Sequence, residues 1–236
     1  MIHKKYLFFI FTLLFFHEIY SQVKMDSLNM HFNVKYKSSP LELHKKYYSL
    51  SATLEIETFK FYVSNIEVQY ADNTLGKSKN NYHLIDIENL NSLSIPIAAK
   101  QNNVISKVTF NIGIDSTASV SGALAGDLDP TNGMYWAWQS GYINMKIEGR
   151  SPQCKNRKNI FQYHIGGYLQ PFYAMRRVEM LVNAFFTERG ILKLDVSKFF
   201  ENIQIASQNS IMIPCKEAMQ LADYSTSMFS IYVPKN

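Results

Sequence analysis

The chain has 236 residues, 47% of them hydrophobic and 14% aromatic, with a formal charge of +5. That is enough apolar chain for one sizeable core, and too mild and dispersed a positive charge for a nucleic-acid surface. After the N-terminal segment no second long apolar run appears, so no stable membrane insertion is expected.

Lys4 and Lys5 precede a short apolar run, Tyr6 to Phe16, and Ile19-Tyr20-Ser21 ends on a small residue before Gln22. This order is that of a secretory signal peptide, and the run is too short to span a bilayer. Residues 1–21 are therefore read as a leader and 22–236 as a single domain, periplasmic or secreted. The run is not followed by a cysteine, which argues against a lipid anchor. Loss of Lys4, Lys5 and Glu18 leaves a formal charge of +4.

Leu28 to Val34 alternates apolar and polar residues, as a half-buried strand does. Leu41 to Ser51 reads as a polar, Lys-rich connection. Leu54 to Tyr70 is rich in Tyr, Phe, Val and Ile, and Ser64-Asn65 in its middle suggests a bend or bulge splitting it into two strands. Ala71 to Asn81 is a polar loop, and Tyr82 to Ile87 a short strand. Val104 to Ile114 alternates again. Asp115 to Gly133 is a long connection of small residues, of a length uncommon in compact domains unless functional or carrying its own short structure.

Both tryptophans of the chain lie in Gly133-Met134-Tyr135-Trp136-Ala137-Trp138-Gln139-Ser140-Gly141-Tyr142-Ile143. Read as a strand running to about Ile147, this segment places Met134, Trp136, Trp138 and Tyr142 on one face. Phe161 to Ile165, Val178 to Phe186 and Ile191 to Val196 read as further strands. Lys216 to Phe229 has apolar spacing closer to 3.6 than to 2, and predicts a helix. Many short strands with one late helix point to a mainly β fold, an antiparallel β-sandwich with one short C-terminal helix.

Two cysteines in an exported chain favour a Cys154–Cys215 disulfide, the other reading being two free thiols, one a soft metal ligand. No nucleophile elbow, His-Glu-x-x-His, Cys-x-x-Cys or phosphate-binding glycine loop is present. Asp127 to Gly133 only faintly resembles a calcium loop, and reads better as a turn rich in Asp, Pro and Gly. No general base and nucleophile pair can be assembled, so the protein is not expected to be an enzyme. His164 points away from the apolar face of Phe161, Tyr163 and Ile165, beside Gly166-Gly167, where backbone can approach an ion closely. His83 shares a face with Ile85 and Ile87 as a core histidine would, His31 lies on a polar face, and His44 is read as solvated.

Several segments resemble the MbnP-like family in order along the chain. They are Phe61-Tyr62-Val63-Ser64-Asn65-Ile66, Phe110 to Ser116, Gly122-Ala123-Leu124, Leu128-Asp129-Pro130, Gly133 to Trp138, Ser140-Gly141-Tyr142, Lys146-Ile147-Glu148-Gly149 and Tyr163-His164-Ile165-Gly166-Gly167. The family comprises periplasmic proteins associated with the copper-chelating peptide methanobactin, and is related to surface copper proteins in which a tryptophan becomes kynurenine. Its partner is a dihaem cytochrome of the peroxidase class (MbnH). The resemblance implies a β-sandwich that binds copper and presents Trp136 or Trp138 for oxidation by that partner. Kynurenine carries an aryl amine and a ketone, so ring opening turns an indole into an N or O ligand. The metal candidates it implies are His164, with His83 and His31 as possible second ligands. The competing reading is a β-sandwich interaction or adhesion module without a metal.

N-terminal sequencing of exported protein should place the first residue near Gln22, and a chain that retains Met1 refutes the leader.

Overall fold

The computed structural model describes residues 25–49, 52–100, 104–139, 141–183 and 190–233. The expected leader, and Ser140, lie outside the described residues. The strands are β1 (Met25–Tyr36), β2 (Ser39–Pro40), β3 (Lys46–Tyr48), β4 (Thr53–Tyr70), β5 (Leu75–Lys77), β6 (Tyr82–Asp86), β7 (Ser94–Lys100) and β8 (Ile105–Ile112). They continue as β9 (Tyr135–Trp136), β10 (Gly141–Arg150), β11 (Ile160–Gly166), β12 (Arg176–Leu181), β13 (Ile191–Asp195), β14 (Ser210–Ile211) and β15 (Phe229–Ile231). The late helix is Lys216–Thr226, as its periodicity predicts.

Two sheets form a sandwich. The smaller runs β15-β13-β1-β2, with β7 also on β1. The larger runs β12-β8-β4-β10-β11-β14, with β3, β5 and β6 also on β4 and β9 on β10. Pairing is antiparallel except for β1 with β13 and β11 with β14. Met30, Phe32, Val34 and Tyr36 of β1 point inward, the alternation seen in the sequence. Phe32 meets Phe61 and Phe110 of the larger sheet edge-on, at ring separations of 5.9 and 6.2 Å. Such contacts join the sheets through one apolar core.

β4 is the spine of the larger sheet, and its inward residues change phase twice, the second time between Val63 and Ile66. Leu54 and Ile56 are inward, then Phe59, Phe61 and Val63. The first change falls where the register against β10 slips, between Glu148 and Gly149. Gly149 belongs there because a Cβ would run into the Glu55 carbonyl and the Phe161 ring. A second slip, against β8, spans Ser64 to Glu67, with Asn65 at φ 49. The bulge expected at Ser64-Asn65 is thus real, but β4 passes through it unbroken.

Among the strands not anticipated, β3 and β5 lie inside segments read as polar loops, and β7 carries Pro96. Proline cannot donate to a ladder, and β7 lies at an edge, with β1 as its only partner strand among the described residues.

The expected Cys154–Cys215 disulfide is absent: both cysteines are free. Cys154 is fully buried, its Sγ 3.8 Å from the Ile205 carbonyl. Cys215 caps the late helix, its Sγ accepting from the Ala218 amide at 3.4 Å. Each sulfur is held by its own local contact, and burial pushes both thiols above their ordinary pKa. Cys215 should label slowly with a thiol reagent in the native protein and Cys154 only after unfolding. Resistance of both to labelling in denaturant, until a reductant is added, would restore the disulfide.

Candidate functional site

The outer face of the larger sheet, turned away from the smaller one, carries a second apolar cluster. Tyr62, Ile114, Ala118, Leu128, Met134, Trp136, Tyr142 and Ile143 form it. The 115–133 connection covers this cluster with a helix, Ser116–Val120, and two short 3-10 turns. Tyrosine hydroxyls bind the cover to the sheet. Tyr62 donates to the Asp127 carbonyl at 3.0 Å, and Tyr82 to Asp115 Oδ2 at 2.6 Å. The Tyr142 hydroxyl lies 3.0 Å from the Leu128 carbonyl and accepts from the Leu124 amide at 3.0 Å. Burial raises the pKa of all three phenols, so they stay protonated donors.

The tryptophan segment is not one strand. β9 ends at Trp136, the chain turns through Ala137, Trp138 and Gln139, and β10 begins at Gly141, which pairs with Trp136. The expected common face therefore breaks: Met134, Trp136 and Tyr142 enter the outer cluster, while Trp138 sits in the turn. Trp136 is 6% exposed and Trp138 is 64% exposed, with their rings 5.7 Å apart. A period-2 reading fails here because a tight turn reverses the chain.

Trp136 lies directly on Gly166 of β11, where a Cβ would come within 2.6 Å of the indole. Gly166 and His164 are two residues apart on one strand and share the outer face. The space that Gly166-Gly167 seemed to leave for a ligand is thus filled: the indole occupies one glycine, and the Phe172 carbonyl the other. His164 is 8% exposed, and its Nε2 lies 2.7 Å from Glu148 Oε1. Gln162 Nε2 donates to the same oxygen at 3.2 Å, and Lys146 Nζ stands 4.0 Å from Oε2. The hydrogen bond from His164, followed by the charge of Lys146, holds the Glu148 carboxyl below the ordinary carboxylate range against the opposing effect of burial. Lys146 also donates to the Gly133 carbonyl at 3.4 Å, at the end of the cover. Tryptophan hairpin, histidine and long connection therefore converge as the sequence suggested.

The other histidines do not join them. His164 pairs with Lys146, Lys146 with Lys60, and Lys60 with Asp86, all on the outer face. His83 is three residues from Asp86 on β6 and pairs with Val63, so it faces the main core. Its Nε2 lies 2.9 Å from Ser78 Oγ and 3.1 Å from the Asn80 carbonyl, and burial lowers its pKa. His31 is exposed on β1 of the other sheet. Neither supplies a second ligand beside His164. A separate donor group went unnoticed in the sequence: His44, Glu55 and Glu57 hold ligand atoms within 4.8 Å of one another. Glu57 there already pairs with Arg150 Nε at 2.6 Å. Glu55 and Glu57 share a strand face, but only the fold brings His44 to them.

The MbnP family model matches residues 25–213. The chain belongs to the MbnP family. MbnP from Methylosinus trichosporium is similar in structure, with a TM-score of 0.62 at 15% identity, over 88% of this chain and 98% of that one. At that identity the likeness shows the fold. None of the curated proteins matches. Within this MbnP-family fold, Gly166→Ala should force the Trp136 ring outward and cost about 1–3 kcal/mol. A thermal melt followed by far-UV circular dichroism measures this, and an unchanged midpoint would show that the indole does not rest on Gly166.

Proposed function

We propose that this MbnP-family protein is exported to the periplasm or beyond and binds copper on the outer face beside His164. On this reading Trp136 is oxidised to kynurenine by a dihaem peroxidase-class partner. The observation that carries the proposal is the seating of the Trp136 indole on Gly166, two residues along β11 from an imidazole whose Nδ1 has no hydrogen-bond partner among the described residues. Imidazole suits copper, and the aryl amine and ketone of kynurenine would add donors where no second histidine stands. Trp138, exposed in the turn and 5.7 Å from Trp136, is the contact point for the partner.

The protein is then a substrate of its partner rather than an enzyme. Cleavage of the indole C2–C3 bond takes up two oxygen atoms from two peroxide molecules, each leaving as water. Hydrolysis of the resulting formyl amide releases formate and leaves the aryl amine and ketone. A second reading, a β-sandwich interaction module without metal, draws support from the isolation of His164 from His83 and His31 and from the exposure of Trp138.

Copper titration of protein treated with the haem partner and peroxide separates the two. His164→Ala should weaken binding by roughly 10-fold or more, as loss of one of few ligands does, and His31→Ala should leave it unchanged. His44 is a poor control because its own donor group could take up metal. Peptide mapping should find kynurenine at Trp136. Equal affinity in both variants, with both tryptophans intact, would leave the interaction-module reading.

A further inference from the structure

Glu148 is absent from the ligands that the sequence suggested, yet it makes the closest polar contact to His164. Oε1 of Glu148 also accepts from Gln162 and Oε2 faces Lys146, surroundings that suit a carboxylate, which only accepts hydrogen bonds, so in the 2.7 Å contact the proton sits on His164 Nε2. We infer that Glu148 is a positioning residue: it keeps the proton of His164 on Nε2 and presents Nδ1 as the ligand atom of the site. The metal half of this inference rests on the copper reading above, and the tautomer half does not.

The carboxylate is held from three directions. Oε1 receives His164 and Gln162, and Oε2 faces Lys146. Lys146 is itself tied to the Gly133 carbonyl, and Gln162 is the cross-strand neighbour of Glu148 in the β10–β11 ladder. Turning the imidazole over would exchange Nε2 for a carbon and lose the 2.7 Å bond, so the carboxylate fixes ring orientation as well as the proton. Nδ1 has no hydrogen-bond partner among the described residues. It is also missing from the fully enclosed polar atoms without partners, which are Tyr36 Oη and Asn144 Nδ2. An open nitrogen therefore sits on the face that carries Trp136. A histidine whose far nitrogen donates to a carboxylate is the arrangement that orients metal-binding imidazoles and raises their basicity.

The experiment is nitrogen-15 NMR of the metal-free, histidine-labelled protein after treatment with the haem partner and peroxide, followed by anaerobic addition of copper(I), which is diamagnetic. The wild type should show His164 as the Nε2–H tautomer with a slowly exchanging proton, and copper(I) should shift Nδ1. Glu148→Ala should lose the protected proton, mix the two tautomers and weaken copper(I) binding roughly 10–100-fold. Glu148→Gln keeps an acceptor oxygen and the side-chain shape. It should restore part of both signals, and it serves as the test if the alanine variant does not fold. A proton on Nδ1 in the wild type, a copper-induced shift at Nε2, or unchanged spectra and affinity in Glu148→Ala would overturn the inference. If copper(I) moves neither nitrogen while Glu148→Ala still frees the proton, the tautomer assignment stands and the copper reading falls.

Discussion

Strand β10 is buried on both faces at its start, and the outer half of the molecule is arranged around that constraint. Met145 and Ile147 serve the main core, while Tyr142 and Ile143 emerge on the other side of the sheet. Apolar side chains there must be covered, and their backbone neighbours still need hydrogen-bond partners. The 115–133 connection supplies the cover, and buried phenols hold its irregular backbone. Trp136 enters the same cluster because β9 folds back on the first residues of β10. The long connection is explained by packing before any chemistry is invoked.

The outer face of β10 changes character further along. After Ile143 come Lys146 and Glu148, and β11 answers with Gln162 and His164. Trp136 lies at the seam between the apolar cluster and this polar strip, with Gly166 as the point of contact. Polar contacts at such a seam are partly shielded from water, which strengthens the His164–Glu148 hydrogen bond and makes its loss more costly. The same seam puts an imidazole near an oxidisable ring. The Methylosinus trichosporium protein shares this fold at 15% identity.

Much of this was legible in the sequence for physical reasons. The alternation through β1 and β8, and the 3.6-residue spacing of the late helix, each report burial of one face. The off-core direction of His164 followed from the same parity. What failed was parity applied through a turn, which put Trp138 on the wrong side of its neighbours. β7 was hidden because Pro96 argues against a strand and only the edge position excuses it. Glu148 was passed over because its meaning lies in register: it becomes the partner of His164 only when β10 and β11 align. The cysteines misled because their even number in a chain expected to be exported says nothing about where each sulfur packs. His83 and His31 could be dismissed as joint ligands only after the sheet order showed one facing inward and the other on the opposite sheet.

The placement of the two indoles has a consequence for spectroscopy. Both tryptophans of the chain sit in one hairpin over the smaller cluster, whereas the main core is built from phenylalanine, tyrosine and aliphatic residues. Tryptophan emission is therefore a local signal. It follows the lifting of the hairpin from β11, a blue-emitting buried ring beside a red-emitting exposed one. Loss of the main core is seen instead by the backbone. If the two signals separate on heating, the outer cluster opens as its own cooperative unit before the sandwich melts.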